Sequence, residues 1–289
     1  MTSRVGWLLV LLAAQPATGC SVLAKKTPTP AASLDSQELA RVPPVAGVRY
    51  YLLPFGSHDL TRRPSRTHTW VTLVRAGDVP GCEPSLEVHT ISWLPSKLDI
   101  DALSLRVEPG ANVQLHETIR NSLRTNQRIA VWGPYEVSQA FAIRFLTQKA
   151  FLESGAVGYQ CIDTVGEAAR EGNGCDCIHA ITDMDPVYPR WRYPLALYGQ
   201  PATANLVRRI MHSPVTIGAG ATHDWLIPRL GLDQYPIERR EYRGRIVPYQ
   251  PGAPDLQAAP VLPVPLAPVV PKDPTPKTAP VVPPPGTPG

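Results

Sequence analysis

Proline is spread so unevenly along this 289-residue chain that it decides how much of it can fold. Of 34 prolines, 14 fall in the last 39 residues, Pro251 to Gly289. A ring that fixes φ and removes a backbone donor cannot recur at that density inside a helix or a central strand. The same stretch has no Phe, Tyr or Trp, and its four charges, Asp255, Lys272, Asp273 and Lys277, cancel. It lacks the apolar surface that offsets the entropy of folding, so 250–289 is expected to be a disordered tail. With the start of the chain also set aside, 46–249 remains, about 200 residues and enough for one domain with a full core.

At the N-terminus Arg4 precedes a nine-residue apolar run, Gly6 to Ala14, and the small residues Ala17, Thr18 and Gly19 follow. That is the order of a secretory signal peptide, and the run is far short of the ~20 residues a membrane-spanning helix takes. The next residue is Cys20, and the string Ala-Thr-Gly-Cys resembles the lipobox of bacterial lipoproteins, whose cysteine is lipidated and becomes the mature N-terminus. The resemblance implies a signal peptide over 1–20, a lipid on Cys20, a flexible tether over 21–45 and, from Ser21, an outer-membrane position facing the periplasm. Ordinary signal cleavage beside Gly19, leaving a soluble secreted protein, is the alternative. Either compartment is oxidising. Four cysteines would remain there, Cys82, Cys161, Cys175 and Cys177, and they permit three full pairings.

Net charge is +4 and only 18% of residues are charged, below the ~25% of average soluble domains. The most basic stretch, Glu238 to Arg245, contains two glutamates, so it reads as a solvated face and nucleic acid is not an expected partner. There is no internal repeat, phosphate-binding glycine loop or serine nucleophile elbow.

Residues 48–53 are rich in strand formers. Thr67 to Arg75 alternates by face, and Ser85 to Pro95 supplies a partner across the Gly/Asp/Pro-containing loop 76–81, which predicts an antiparallel pair. A helix capped by Asn112 would carry Leu115, Ile119 and Leu123 on one face; another, opened by Pro134 and closed by Gly155, would carry Val137, Phe141 and Phe145. Residues 129–133 and 158–163 read as strands and 167–174 as a loop. A further helix is expected near 202–211, with two Arg/Tyr-rich strands between 186 and 249. The pattern predicts an α+β fold: an antiparallel sheet starting with a β-hairpin, helices packed on one face, and the proline-rich tail.

Gly174 to Ile181, GCDCIHAI, carries the most chemistry. If Asp176 caps a helix, Cys177 lies in its first turn, where free N–H groups and the helix dipole stabilise a thiolate. His179 is two residues away and points elsewhere, so a base must come from another element. A hairpin turn centred between residues 78 and 79 would oppose His68 and His89 on one face; a looser turn would separate them. Cys175, Cys177 and His179 are also zinc-ligand types, although Cys-x-Cys-x-His departs from the usual spacing.

A histidine on one strand, a second on the next and a later cysteine at a helix start resemble the circularly permuted papain-like thiol hydrolases, which include lecithin retinol acyltransferase-like enzymes and relatives of cell-wall peptidases. Asp176, Cys177, Ile178 and His179 match that family's Asn-Cys-Glu-His motif at Cys and His, and Ala180 stands where an aromatic residue follows. The resemblance implies Cys177 as nucleophile, His68 as base, His89 as orienting group and no cofactor or metal. The reaction would be hydrolysis or acyl transfer on an amide or ester, with a cell-wall peptide or acyl group as substrate. The competing expectation is a non-catalytic envelope lipoprotein that acts as a binding or structural module.

Overall fold

The first long strand is apolar at both odd and even positions, so neither of its sides can face water. In the computed structural model, which describes residues 29–77, 84–184, 198–218, 221–242 and the backbone of 246–247, this strand lies inside a mixed sheet. The chain enters through a short helix, α1 (Ser36–Arg41), and reaches β1 (Val48–His58) and β2 (Thr67–Gly77), which pair antiparallel from Val48 opposite Gly77 to His58 opposite Thr67. β3 (Ser85–Ile91) extends the sheet beside β2, while β4 (Trp93–Pro95) and β5 (Gly110–Asn112) form a separate ribbon. After α2 (Leu115–Arg124), β6 (Arg128–Trp132) and β7 (Tyr135–Val137) both pair with β1, and α3 (Gln139–Glu153) follows.

Two very short strands, β8 (Gly158–Tyr159) and β9 (Gly174–Cys175), run parallel on either side of α4 (Gly166–Glu171). The helices α5 (His179–Thr182), α6 (Gly199–Met211) and α7 (Leu226–Arg229) come next. Finally β10 (Ile237–Arg240) joins β6 in parallel and carries β11 (Ile246–Val247) at the edge, giving the order β11-β10-β6-β1-β2-β3.

The chain is α+β, and the β2–β3 pair is antiparallel as its alternation predicts. Two finer expectations are corrected. The sheet is mixed, because β10 enters parallel to β6. Helices also cover both faces. Tyr51, Leu53, Phe55, Trp70 and Val74 pack against α2 and α7, while Leu52, Val71, Leu73 and Ile91 pack against α3 and α6. The physical reason is the apolar content at both parities of β1 and β2, which leaves no face for solvent. Helix starts shift too: Ser138, not Pro134, caps α3, and residues read as a loop form α4.

Part of the expected tether is folded. Asp35 caps α1 by accepting the Gln37 N–H, and Arg144 on α3 donates to the carbonyls of Ala31 and Leu34 and to Ser36 Oγ. Gln139 accepts from the Val45 N–H and donates to the Pro43 carbonyl. Residues 29–45 therefore form an arm laid along α3. The signal segment, Cys20, Cys82 and the proline-rich tail lie outside the described residues.

α6 lies unusually close to the strands. Thr203 Oγ1 donates to the Phe55 carbonyl at 2.9 Å and reaches Thr69 Oγ1 at 3.2 Å. This approach needs Gly56: a Cβ there would collide with Thr203 Oγ1 and come within 2.8 Å of Gln200 Cα. Gly56→Val should destabilise the domain by about 1–3 kcal/mol or more, because it overpacks a backbone contact. A lower urea midpoint at unchanged slope would register that cost.

Candidate functional site

The three residues implied by the thiol-hydrolase resemblance are not brought together. The strand register sets His89 opposite Leu73, and His68 is five positions from Leu73 along β2. An odd separation places the two imidazoles on opposite faces of the sheet. His68 is buried on the α2 side, stacked on Trp70 with ring centroids 5.3 Å apart, and Trp70 in turn stacks on Phe55. Its Nε2 lies 2.9 Å from Ser92 Oγ, which accepts a hydrogen bond from Thr118 Oγ1 at 2.8 Å. Buried with desolvation as the cause acting on it, the ring is neutral. Burial pushes its pKa down to about 3. His89 sits on the α3 side, with Nε2 3.0 Å from Glu87 Oε1.

Cys177 is on the α6 side, beside Ile178 and Ala202. Burial is the largest influence on its thiol and pushes the pKa well above the ordinary range. The Asp176 carboxylate adds to that shift, and a backbone hydrogen bond from Thr69 opposes it. A thiol held neutral in this way is the reverse of an activated nucleophile. The expected cap does form, since Asp176 Oδ1 accepts the N–H groups of Ile178 and His179 at 2.8 and 2.7 Å. But α5 is only four residues long and begins after Cys177.

What the motif builds instead is a buried charge cluster. His179 Nδ1 lies 2.8 Å from Asp163 Oδ1 and 3.0 Å from Asp176 Oδ2. Asp163 Oδ2 accepts the Asp176 N–H at 3.0 Å, which ties the turn after β8 to the end of β9. Burial by itself would lower the pKa of His179, but the two carboxylates outweigh it and raise it to about 10, so the ring is an imidazolium. Among the described residues, this trio and not Cys175, Cys177 and His179 brings three potential metal-ligand atoms within 4.8 Å. Within it, His179 Nδ1 faces an oxygen of each carboxylate at ion-pair distance. Sequence reasoning missed Asp163, which is 16 residues from His179; the Asp176/His179 spacing was the visible signal.

A second feature has no counterpart in the sequence reading. Between the arm, α3, α5 and α6 opens a cavity of about 720 Å³. Leu39, Phe141, Ile181, Leu206, Ile210 and Val215 supply its apolar wall. Among the described residues that line it, the charged side chains are Arg144 and Arg209, with His212 beside them. Comparison with protein-family models, curated proteins and solved structures finds no match to this chain.

The buried histidines set the pH dependence of stability in opposite directions. His179 has a folded pKa raised from 6.5 to about 10, so its contribution is complete below pH 6.5 and is lost as pH rises towards 10. His68 has its pKa depressed from 6.5 to about 3, so its contribution is complete above pH 6.5 and is lost as pH falls towards 3. Burial also depresses the pKa of His58, His89 and His116, which adds to the acid limb. Denaturant midpoints measured against pH should show a dome; His179→Asn should flatten its alkaline side and His68→Phe should make its acid side shallower.

Proposed function

We propose that the protein is a non-catalytic, ligand-binding lipoprotein of the cell envelope, and that its site is the cavity walled by the arm, α3 and α6. The observation that carries this reading is the lining itself. A volume of about 720 Å³ falls within the ~300–1,000 Å³ of small-molecule sites. Walls of Leu, Ile, Phe and Val favour an elongated apolar body. Two arginines in that lining favour an acidic head group. The ligand class is therefore an amphipathic acid such as a long-chain fatty acid, with Arg209, half-buried on the cavity wall, as the residue that meets the acid.

Thiol hydrolysis would require a base within reach of Cys177 and a lowered thiol pKa. His68 and His89 do not supply the first, and burial beside Asp176 opposes the second. Binding explains the cavity without either.

Fluorescence titration of the purified protein with cis-parinaric acid tests the reading. Saturable binding is expected, displaced by hexadecanoic acid and only weakly by hexadecanol. Arg209→Glu should weaken the acid by about tenfold or more, the worth of a charge-assisted hydrogen bond, and Ala140→Trp should block the cavity to acid and alcohol alike. Absence of saturable binding, or equal affinity for acid and alcohol that Arg209→Glu leaves unchanged, would reject it.

A further inference from the structure

Cys161 and Cys177 each stand two residues beyond the last paired residues of a short parallel ladder. β8 and β9 pair Gly158 with Gly174 and Tyr159 with Cys175, and the Gln160 N–H donates to the Cys175 carbonyl at 3.3 Å, carrying the register one step further. Beyond that step both segments turn, and the two thiols stay near enough for Cys161 to act on Cys177 and for both to act on Tyr159 electrostatically. The residues two positions beyond Tyr159 and Cys175 are Cys161 and Cys177. A disulfide spans roughly 4.4–6.8 Å between Cα atoms, the scale of the ~4.8 Å strand spacing from which the two segments depart. Cys175 is excluded by the same register, because Tyr159 fills the place beside it and its thiol donates to the Asp176 carbonyl inside the core. Neither Cys161 nor Cys177 is wholly buried.

We propose that Cys161 and Cys177 are a redox modification site, closed to an intramolecular disulfide by an oxidant that itself carries a disulfide. The structure shows the dithiol form. In the first step one thiol loses its proton and its sulfur attacks the oxidant's disulfide, forming a mixed disulfide and expelling one oxidant thiolate. The second cysteine, deprotonated in turn, attacks its neighbour's sulfur and expels the other. One S–S bond forms in the protein, one breaks in the oxidant, and two electrons and two protons pass to the oxidant, whose two sulfurs leave as thiols. Burial and the nearby Asp176 carboxylate disfavour both thiolates, so exchange is slow and the closed bond acts as a staple. It would join the two ends of the segment carrying α4 and Asp163. The inference does not depend on the cavity reading.

The full-length protein, purified without reductant and incubated with oxidised glutathione, should be denatured, alkylated and digested without reduction. A linked peptide joining Cys161 to Cys177 is expected. Reduction should lower the melting temperature by roughly 6–12 °C, as a loop of this length implies for a domain of this size. Cys175→Ser should leave the link intact, whereas Cys161→Ser should free Cys177 for alkylation. Linkage of either cysteine to Cys82 or Cys175, or recovery of both as alkylated thiols after oxidation, would overturn the proposal. Should Cys161→Ser fail to fold, the peptide map of the unmodified protein decides alone.

Discussion

Because β1 and β2 carry apolar side chains on both faces, the centre of this sheet has to be covered twice, and the remaining elements are arranged to do so. α2 and α7 close over Phe55 and Trp70. α6 closes over the other face so tightly that Gly56 and Gly199 are needed where backbone meets backbone; a Cβ at Gly199, where φ is +56°, would collide with the Ser57 carbonyl. Fixing α6 in this way fixes the cavity, since Leu206, Arg209 and Ile210 form one of its walls. The opposite wall is the arm, held by Arg144 through hydrogen bonds to backbone carbonyls.

GCDCIHAI is chemically rich in sequence and structurally conservative in the fold. Each group that would make a cysteine reactive is engaged elsewhere. Asp176 divides its oxygens between the start of α5 and His179, and the imidazolium is shared with Asp163. Removing one partner of such a cluster leaves a buried charge without compensation, which costs more than the intact cluster contributes. Its arrangement serves specificity of the fold: it allows only one way for the turn after β8 to meet α5.

Much of the secondary structure was legible from periodicity. Leu115 and Ile119 mark the buried face of α2, and Phe141 and Phe145 that of α3, as their four-residue spacing predicts. The antiparallel β2–β3 pair was legible as well. Its register was not, because the connecting residues 78–83 set it and a slip of one position exchanges the faces of every side chain. That single uncertainty separates a His68/His89 pair from two unrelated histidines. Coverage of both faces was legible in the apolar residues at both parities of β1 and β2, which the expectation of helices on one face overlooked. The cavity and Asp163 depend on segments far apart in sequence, and no local pattern encodes either.

The docked arm changes how far the domain can stand from whatever holds its N-terminus. A freely extended segment from Cys20 to residue 46 would allow a separation of roughly 90 Å. With the chain pinned from Thr29 onward, where the Thr29 hydroxyl donates to the Asp183 carbonyl, eight residues lie between Cys20 and the folded surface, a reach of about 30 Å. In the anchored form proposed here, the domain is confined to a layer about one membrane thickness deep. The arm that shortens this leash also lines the cavity, so the binding site belongs to the part of the domain tied most directly to the anchor.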